Sequence, residues 1–180
     1  MSEYYTMKIA GLERNLEKFP VNDKLDIAAF IIFGDVELTV KGSEALLAKM
    51  PDFDVIVTPE AKSIPIAYEM ARQSGKPYVI ARKALKVYMR NSIEVSVTSI
   101  TTKKEQKLYL GETEVNKIKG KRVLIVDDVI STGESLEAVR QLVAKSGATE
   151  AAACSFLAEG DAADRSDIIY LEKLPLFIKD

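Results

Sequence analysis

The sequence predicts an α/β protein with a mainly parallel sheet flanked by helices. The first observation is a set of short apolar runs, rich in β-branched residues, with the length of buried strands: 54–58, 78–81, 123–126 and 151–156. The second is that segments with helical spacing lie between these runs. The third is the resulting order of strands and helices, which is typical of parallel strands joined by crossover helices.

The predicted helices have recognisable boundaries. The helix after the first run has Pro65 in its first turn and Gly75 at its end. A second helix follows the third run and should end at Gly147. Its buried face is expected to contain Leu136, Val139, Leu142 and Val143. A shorter helix is expected over residues 43–50, with a start near Val40 as the alternative, and Pro51 should end it.

Two segments depart from this alternation. Residues 1–39 carry short alternating apolar pieces, a break expected at Phe19-Pro20, and an apolar run at 25–33. The segment at about 87–121 is polar, with β-branched residues at Ile93, Val95 and Val97 that suit a two-stranded ribbon. A long insertion of this kind is often a flap that closes over a ligand, and an ordinary exposed hairpin is the alternative.

Composition narrows the class of protein. At 180 residues the chain suits a single domain, and a net charge of -2 gives no reason to expect nucleic-acid binding. No apolar run approaches the length of a membrane span, and the polar start lacks a signal peptide. Cys154, the single cysteine, lies in an apolar run and should be a buried small side chain rather than a nucleophile. We therefore expect a cytoplasmic protein.

The chain has no histidine. This excludes Ser-His and Cys-His nucleophile pairs and histidine metal ligands. Any catalysis must depend on carboxylates, lysines, hydroxyls, main-chain amides, or a metal held by carboxylates or by the substrate.

The most informative segment follows the strand at 123–126. Two carboxylates come first, Asp127 and Asp128, and a short loop then leads into a helix. Free N–H groups and the helix dipole make such a loop a site for a phosphate. The loop residues are Ser131, Thr132, Gly133, Glu134 and Ser135. The carboxylates suit two ribose hydroxyls, whereas the alternative is that Asp128 or Ser131 caps the helix and Asp127 is a solvated strand end.

This segment resembles the signature of type I phosphoribosyltransferases, which bind phosphoribosyl diphosphate (PRPP). Departures are mild: Ser131 stands where the family often has Ala, and Glu134 where Gly is common. Neither a P-loop motif nor a dinucleotide-binding motif occurs in the chain. The resemblance implies one domain of this fold over 1–180, with a base-binding hood at 1–39, a core at 40–180 and a flexible hairpin flap. It implies that Asp127 and Asp128 are catalytic and that the 131–135 loop binds the 5'-phosphate of PRPP.

Two further segments would face pyrophosphate under this resemblance. In the 60–63 turn, the candidate pyrophosphate-binding residues are Ala61, Lys62 and Ser63. A plain helix start is the alternative. Adenine-specific members commonly have Arg-Gly here, and this chain does not. After the strand at 78–81, the pattern of Arg82, Lys83 and Lys86 is similar to adenine and xanthine phosphoribosyltransferases. In some members these cations reach the neighbouring subunit, which implies a homodimer. A solvated turn is the alternative.

The segment Phe33-Gly34-Asp35 resembles the Phe-x-Asp of adenine phosphoribosyltransferases, in which Phe stacks on the base. Phe33 is therefore the candidate base-binding residue, and burial of Phe33 in the core is the alternative. Glu159 and Asp161 follow the last predicted strand, and a contact with the base stays open for both.

The expected reaction is that of a purine phosphoribosyltransferase: adenine and PRPP give AMP and pyrophosphate. Mg²⁺ is the expected cofactor, held through the substrate, with Asp127 as the one candidate protein ligand. Xanthine, hypoxanthine or guanine is the alternative base. Outside the enzymes, a PRPP-sensing regulator is the main alternative. A signalling receiver domain is less suitable, since its acidic residues come from different strands and the phosphate loop would have no explanation.

Overall fold

The computed structural model describes residues 2–98 and 105–179. The helices are α1 (Val36–Leu47), α2 (Ile64–Ser74), α3 (Glu112–Ile118) and α4 (Glu134–Lys145). The first six strands are β1 (Tyr4–Ile9), β2 (Leu12–Asn22), β3 (Leu25–Ala28), β4 (Val55–Pro59), β5 (Tyr78–Ala81) and β6 (Ile93–Thr98). The others are β7 (Glu105–Leu110), β8 (Arg122–Ile130), β9 (Thr149–Glu159), β10 (Ile169–Leu174) and β11 (Phe177–Ile178).

A parallel sheet of five strands forms the centre, in the order β10-β9-β8-β4-β5. Every residue of β4 is buried, because helices cover both faces of the sheet. Side chains of α1 and α2 pack on one face, and side chains of α3 and α4 pack on the other. This confirms the α/β class with a mainly parallel sheet.

Close packing fixes α1 on the sheet. A Cβ added to Gly42 would collide with the ring of Phe156, which is fully buried in β9. The helix begins at Val36, earlier than the expected start near Val40, because the Asp35 carboxylate accepts a hydrogen bond from Leu38 N–H at 3.0 Å. It ends at Leu47, before Pro51.

The acidic pair lies inside a strand rather than after it. β8 was expected to end at Val126, yet its pairing with β9 continues through Asp127 as far as Ile130. The helix boundaries at Gly75 and Gly147 agree with expectation, since both glycines have positive φ.

The amino-terminal strands form a separate antiparallel sheet in the order β1-β2-β3-β11, which the last strand of the chain completes. The break expected at Phe19-Pro20 is wrong: Pro20 lies within β2, and an irregularity in register follows it, before Asn22. This sheet is tied to α1 by the Arg14 guanidinium, whose Nε lies 2.6 Å from Asp35 Oδ2.

The expected ribbon is present as the antiparallel hairpin of β6 and β7. Val95 and Leu108 are buried among the same side chains as α4, so the base of the hairpin packs on the core. The segment 87–121 also contains α3, which was not expected, with Ile118 fully buried. The centre of the expected flap, 99–104, lies outside the described residues.

None of the helices in the described residues has the length and apolar composition needed to cross a membrane.

Candidate active site

Two strand-to-helix turns lie side by side at the carboxyl end of the sheet. β4 and β8 are neighbours, with Val57 opposite Ile125. The 60–63 turn follows β4, and the 131–135 loop follows β8. Parallel α/β sheets bind ligands at this end, because strand ends and helix starts meet there.

The 131–135 loop begins as an open turn and then becomes the first turn of α4. Gly133 has a φ of 83°, a left-handed conformation that favours glycine, and α4 begins at the next residue. The loop borders a cavity of about 140 Å³ that is also lined by Asp127 and by Gln106 from β7. The cavity therefore joins an acidic group to a helix start, as expected, and adds a hairpin residue that the sequence did not indicate.

The acidic pair is connected to the neighbouring turn by an ion pair. Asp128 is buried, with 5% of its surface exposed, whereas Asp127 is half-buried. Asp127 Oδ1 accepts a hydrogen bond from Asp128 N–H at 2.9 Å. Lys62 Nζ lies 2.9 Å from Asp128 Oδ2. The structure thus brings together three residues that the sequence assigned to two separate functions, ribose binding and pyrophosphate binding.

Burial raises the pKa of Asp127 well above the usual range, and the neighbouring charge of Asp128 adds to this effect. The charge of Lys62 acts in the opposite direction but is a smaller cause. A ligand that donates hydrogen bonds to Asp127 would favour its ionised form.

Side-chain hydrogen bonds hold the 60–63 turn in place. Ser63 is 1% exposed, and its hydroxyl donates to the Pro59 carbonyl at 3.0 Å. Thr58 Oγ1 lies 2.8 Å from both Ser63 Oγ and the Val126 carbonyl, which links the turn to β8. The Ser63 hydroxyl is therefore used within the protein. The groups available to a ligand are the Lys62 amine and the main-chain N–H groups of the turn.

The turn also contains a cis peptide bond between Glu60 and Ala61. Ala61 and Lys62 are exposed at this end of the sheet.

Glu60 connects the turn to the cationic segment after β5. Its carboxylate accepts a hydrogen bond from Lys83 N–H at 2.9 Å and lies 3.3 Å from Arg82 Nε. Both contacts lower the pKa of Glu60, the Lys83 amide more than Arg82. Arg82 also donates to the Tyr88 hydroxyl at 3.1 Å. The sequence analysis did not find this role for Glu60. The only local signal was an acidic residue directly after a strand, and such a residue has no obvious partner in the sequence.

The three cations of this segment therefore differ. Arg82 is engaged with Glu60 and Tyr88, Lys83 is exposed, and Lys86 is half-buried.

Phe33, Asp35 and Cys154 differ in exposure and in contacts. Phe33 is 53% exposed, so the alternative that it is a core residue is wrong. Asp35, its neighbour in the motif, caps α1 and pairs with Arg14. Cys154 is fully buried, as expected, and burial raises the pKa of its thiol.

Glu159 ends β9, beside the strand that carries the acidic pair. It is half-buried; burial raises the pKa of its carboxyl, and the charge of Lys62 opposes that change. Asp161 is exposed in the 3-10 turn that follows.

A magnesium ion fits this site only if the substrate supplies most of its ligands. No group of three acidic or cysteine side chains that could hold a metal occurs in residues 2–98 and 105–179. Mg²⁺ is commonly bound by one or two carboxylates together with substrate phosphates. The carboxylates of Asp127 and Asp128 beside the 131–135 loop match the protein part of that donor set.

Comparisons with known proteins identify the family of this chain. Residues 40–175 match the family model of the phosphoribosyl transferase domain. The adenine phosphoribosyltransferase of Thermotoga neapolitana is 36% identical over 138 residues, which cover 72% of this chain and 78% of that protein. The hypoxanthine/guanine phosphoribosyltransferase of Methanothermococcus okinawensis is 42% identical over 97 residues, which cover 54% of this chain and 49% of that protein.

Among solved structures, adenine phosphoribosyltransferase from Thermoanaerobacter pseudethanolicus is similar in fold, with a TM-score of 0.72. The match has 21% sequence identity and covers 88% of this chain and 95% of that one. This similarity confirms the fold that the sequence resemblance implied.

Proposed function

Because this chain belongs to the phosphoribosyltransferase family, we propose that its site transfers a 5-phosphoribosyl group from PRPP to adenine, giving AMP and pyrophosphate. In this reaction the bond from ribose C1 to pyrophosphate breaks, and the leaving group keeps the electron pair. The adenine nitrogen forms the new bond to C1, and its proton passes to pyrophosphate or to water. The chain is thus a purine-salvage glycosyltransferase.

The observation that carries this proposal is the position of the acidic pair between two strand-to-helix turns, one of which carries Lys62. We assign the 5'-phosphate to the 131–135 loop, since its cavity is lined by the start of α4. We assign the ribose hydroxyls to Asp127 and Asp128, whose oxygens accept hydrogen bonds. As the bond to pyrophosphate breaks, positive charge develops on the sugar, and the same carboxylates stabilise it.

Lys62 would serve the leaving group. Its amine is 2.9 Å from Asp128 Oδ2, and half of its side chain is exposed. Pyrophosphate bound at the 60–63 turn would compete for this amine and leave Asp128 free to accept ribose hydroxyls. Lys83 and Lys86 are the further cations proposed to bind pyrophosphate. Arg82 would also bind pyrophosphate while it keeps its ion pair with Glu60.

Magnesium would add charge neutralisation at pyrophosphate when bound. We propose Asp127 as a protein ligand because it is the half-buried member of the acidic pair and faces the cavity. Phe33 is proposed to stack on the base, which its exposed ring supports. A homodimer and a cytoplasmic location remain predictions from the sequence, and sedimentation of the purified protein would measure the first.

A panel of bases tests the reaction. Purified protein is mixed with PRPP and Mg²⁺, and pyrophosphate release is measured with adenine, hypoxanthine, guanine, xanthine and uracil. Adenine is expected to give the highest turnover. Binding of PRPP without pyrophosphate release on any base would instead favour the regulator.

Hypoxanthine or guanine is the second candidate for the base. The relative with that name is 42% identical over the part that it matches, although this part covers 54% of the chain. In addition, the 60–63 turn lacks the Arg-Gly that adenine-specific members commonly have there. Faster turnover with hypoxanthine or guanine than with adenine would establish this alternative.

A further inference from the structure

A distant arginine lies directly against the phosphate loop. Arg165 follows the 3-10 turn after β9, 32 positions beyond Gly133 in the numbering of the chain. A Cβ added to Gly133 would collide with Nη1 of Arg165. The guanidinium therefore occupies the space that a side chain at this loop position would fill.

The other nitrogens of this guanidinium are held by a carboxylate. Nε of Arg165 donates to Asp167 Oδ1 at 2.9 Å, and Nη2 donates to Asp167 Oδ2 at 2.8 Å. Asp167 is held in turn by Arg140 Nη1 at 2.7 Å. Arg140, on α4, pairs with Glu150 through two hydrogen bonds of 2.8 Å.

This chain of ion pairs orients Arg165 and leaves one nitrogen available. Within the described part of the protein, Nη1 of Arg165 has no hydrogen-bond partner and lies beside Gly133. Two-point attachment to Asp167 fixes the plane of the guanidinium, so Nη1 keeps this position without a contact of its own.

The 131–135 loop lacks the positive charge that a phosphate requires, and Nη1 of Arg165 could supply it. The 131–135 loop contains no cation, and its one charged side chain is the acidic Glu134. Asp127 adds a second acidic group to the cavity. A phosphate monoester brings nearly two negative charges at neutral pH, and main-chain N–H groups supply only partial positive charges.

We propose that Arg165 binds the 5'-phosphate of the ligand through Nη1, with Asp167 and Arg140 as positioning residues. This inference rests on the proposed function, because it assumes that a 5'-phosphate occupies the loop. Arg165 then contributes to phosphate affinity and contributes little to binding of the base or the ribose.

The test compares AMP with adenosine, which differ only in the phosphate, by isothermal titration of wild-type protein and Arg165→Gln. AMP affinity is expected to fall about tenfold to a hundredfold, as for a lost charged hydrogen bond, with adenosine affinity unchanged. Arg165→Lys keeps the charge but loses the fork on Asp167, so its AMP affinity should be intermediate. Arg122→Gln is the matched control, because Arg122 pairs with Asp54 at the opposite end of β8.

The outcomes separate the two proposals. If wild-type protein binds AMP no better than adenosine, the proposed phosphate site itself is wrong. If wild-type protein prefers AMP and Arg165→Gln keeps that preference, the role of Arg165 is overturned. Equal losses for AMP and adenosine would indicate a purely structural role and would also overturn it. Should Arg165→Gln fail to fold, Arg165→Lys decides: a partial loss of AMP affinity with adenosine affinity unchanged supports the role of Arg165, and an AMP affinity equal to that of wild type overturns it.

Discussion

The two turns at the carboxyl end of the sheet offer different groups to an anionic ligand. The 131–135 loop has no cation of its own, and it offers a helix start, hydroxyls and a glycine in a left-handed conformation. The 60–63 turn has its serine hydroxyl buried in hydrogen bonds and presents the amine of Lys62. One turn offers mainly main-chain groups, and the other offers the amine of a half-exposed side chain.

This difference matches the fates of the two groups. The 5'-phosphate stays on the sugar throughout the reaction, so main-chain N–H groups suit it. Pyrophosphate must leave, and an amine that can return to Asp128 suits a departing group. Substitutions in the two turns should therefore affect different steps.

The largest effect is expected from Gly133→Ala. An alanine here must adopt a positive φ, and its Cβ meets Arg165, so kcat/KM for PRPP should fall about a hundredfold from strain of about 1–2 kcal/mol plus overpacking. Gly75→Ala is the matched control: φ is +69° at Gly75, yet nothing lies within 4 Å of an added Cβ. Steady-state kinetics should show normal PRPP use for Gly75→Ala. Equal losses in both variants would contradict a specific role for the loop.

The next largest effect is expected from Asp128→Asn. Loss of the charge should lower kcat at least about tenfold, since a neutral amide stabilises the developing cation poorly. Asp54→Asn, at the other end of the sheet, serves as the control, with circular dichroism to verify folding. An unaltered kcat would remove Asp128 from the proposed sugar site.

Lys62→Gln tests the second turn. We expect a loss of about tenfold in affinity for pyrophosphate, measured as product inhibition, with a smaller change in affinity for ribose 5-phosphate. Lys76→Gln controls for loss of a lysine, because Lys76 is exposed and precedes β5 at the opposite end. An equal loss of affinity for pyrophosphate and for ribose 5-phosphate would contradict the assignment of the two ligands to separate turns.

The smallest effect is a pH dependence of stability. The pKa of Asp127 is raised in the folded protein, so its protonated form is favoured there. Its contribution to stability is complete below the ordinary carboxyl pKa and is lost as pH rises through the folded value. Asp127→Asn should therefore raise Tm, relative to wild type, more at pH 7 than at pH 4. Thermal melts in phosphate-free buffer would measure this.

Asp35 should show the opposite pH dependence of stability, because Arg14 lowers the pKa of its carboxyl. Its contribution is present above the ordinary carboxyl pKa and disappears as pH falls through the lowered value. Asp35→Asn should lower Tm at pH 7, with a smaller difference in acid. If both variants changed with pH in the same direction, the assigned environments would be wrong.

The same comparison explains what could be predicted from sequence. The loop after β8 was found because a strand, two carboxylates and a helix start are contiguous, and so each signal is local. The role of Glu60 was missed, since its partner Arg82 belongs to another strand end. Arg165 was missed for the same reason: only the folded chain places it against Gly133.

Errors in the elements have similar causes. α3 has only two apolar residues that pack on the core, Val115 and Ile118, which is too few for a helical pattern to be visible. β8 extends past its apolar run because β9 continues to pair with it. Tertiary contacts decide where such elements form and end, and local sequence propensity carries no information about those contacts.

A crystal structure with AMP bound would test the central claim most directly. We predict the phosphate against the N–H groups of the 131–135 loop, with the ribose hydroxyls on Asp127 and Asp128. A nucleotide bound elsewhere, with this pocket empty, would contradict the account.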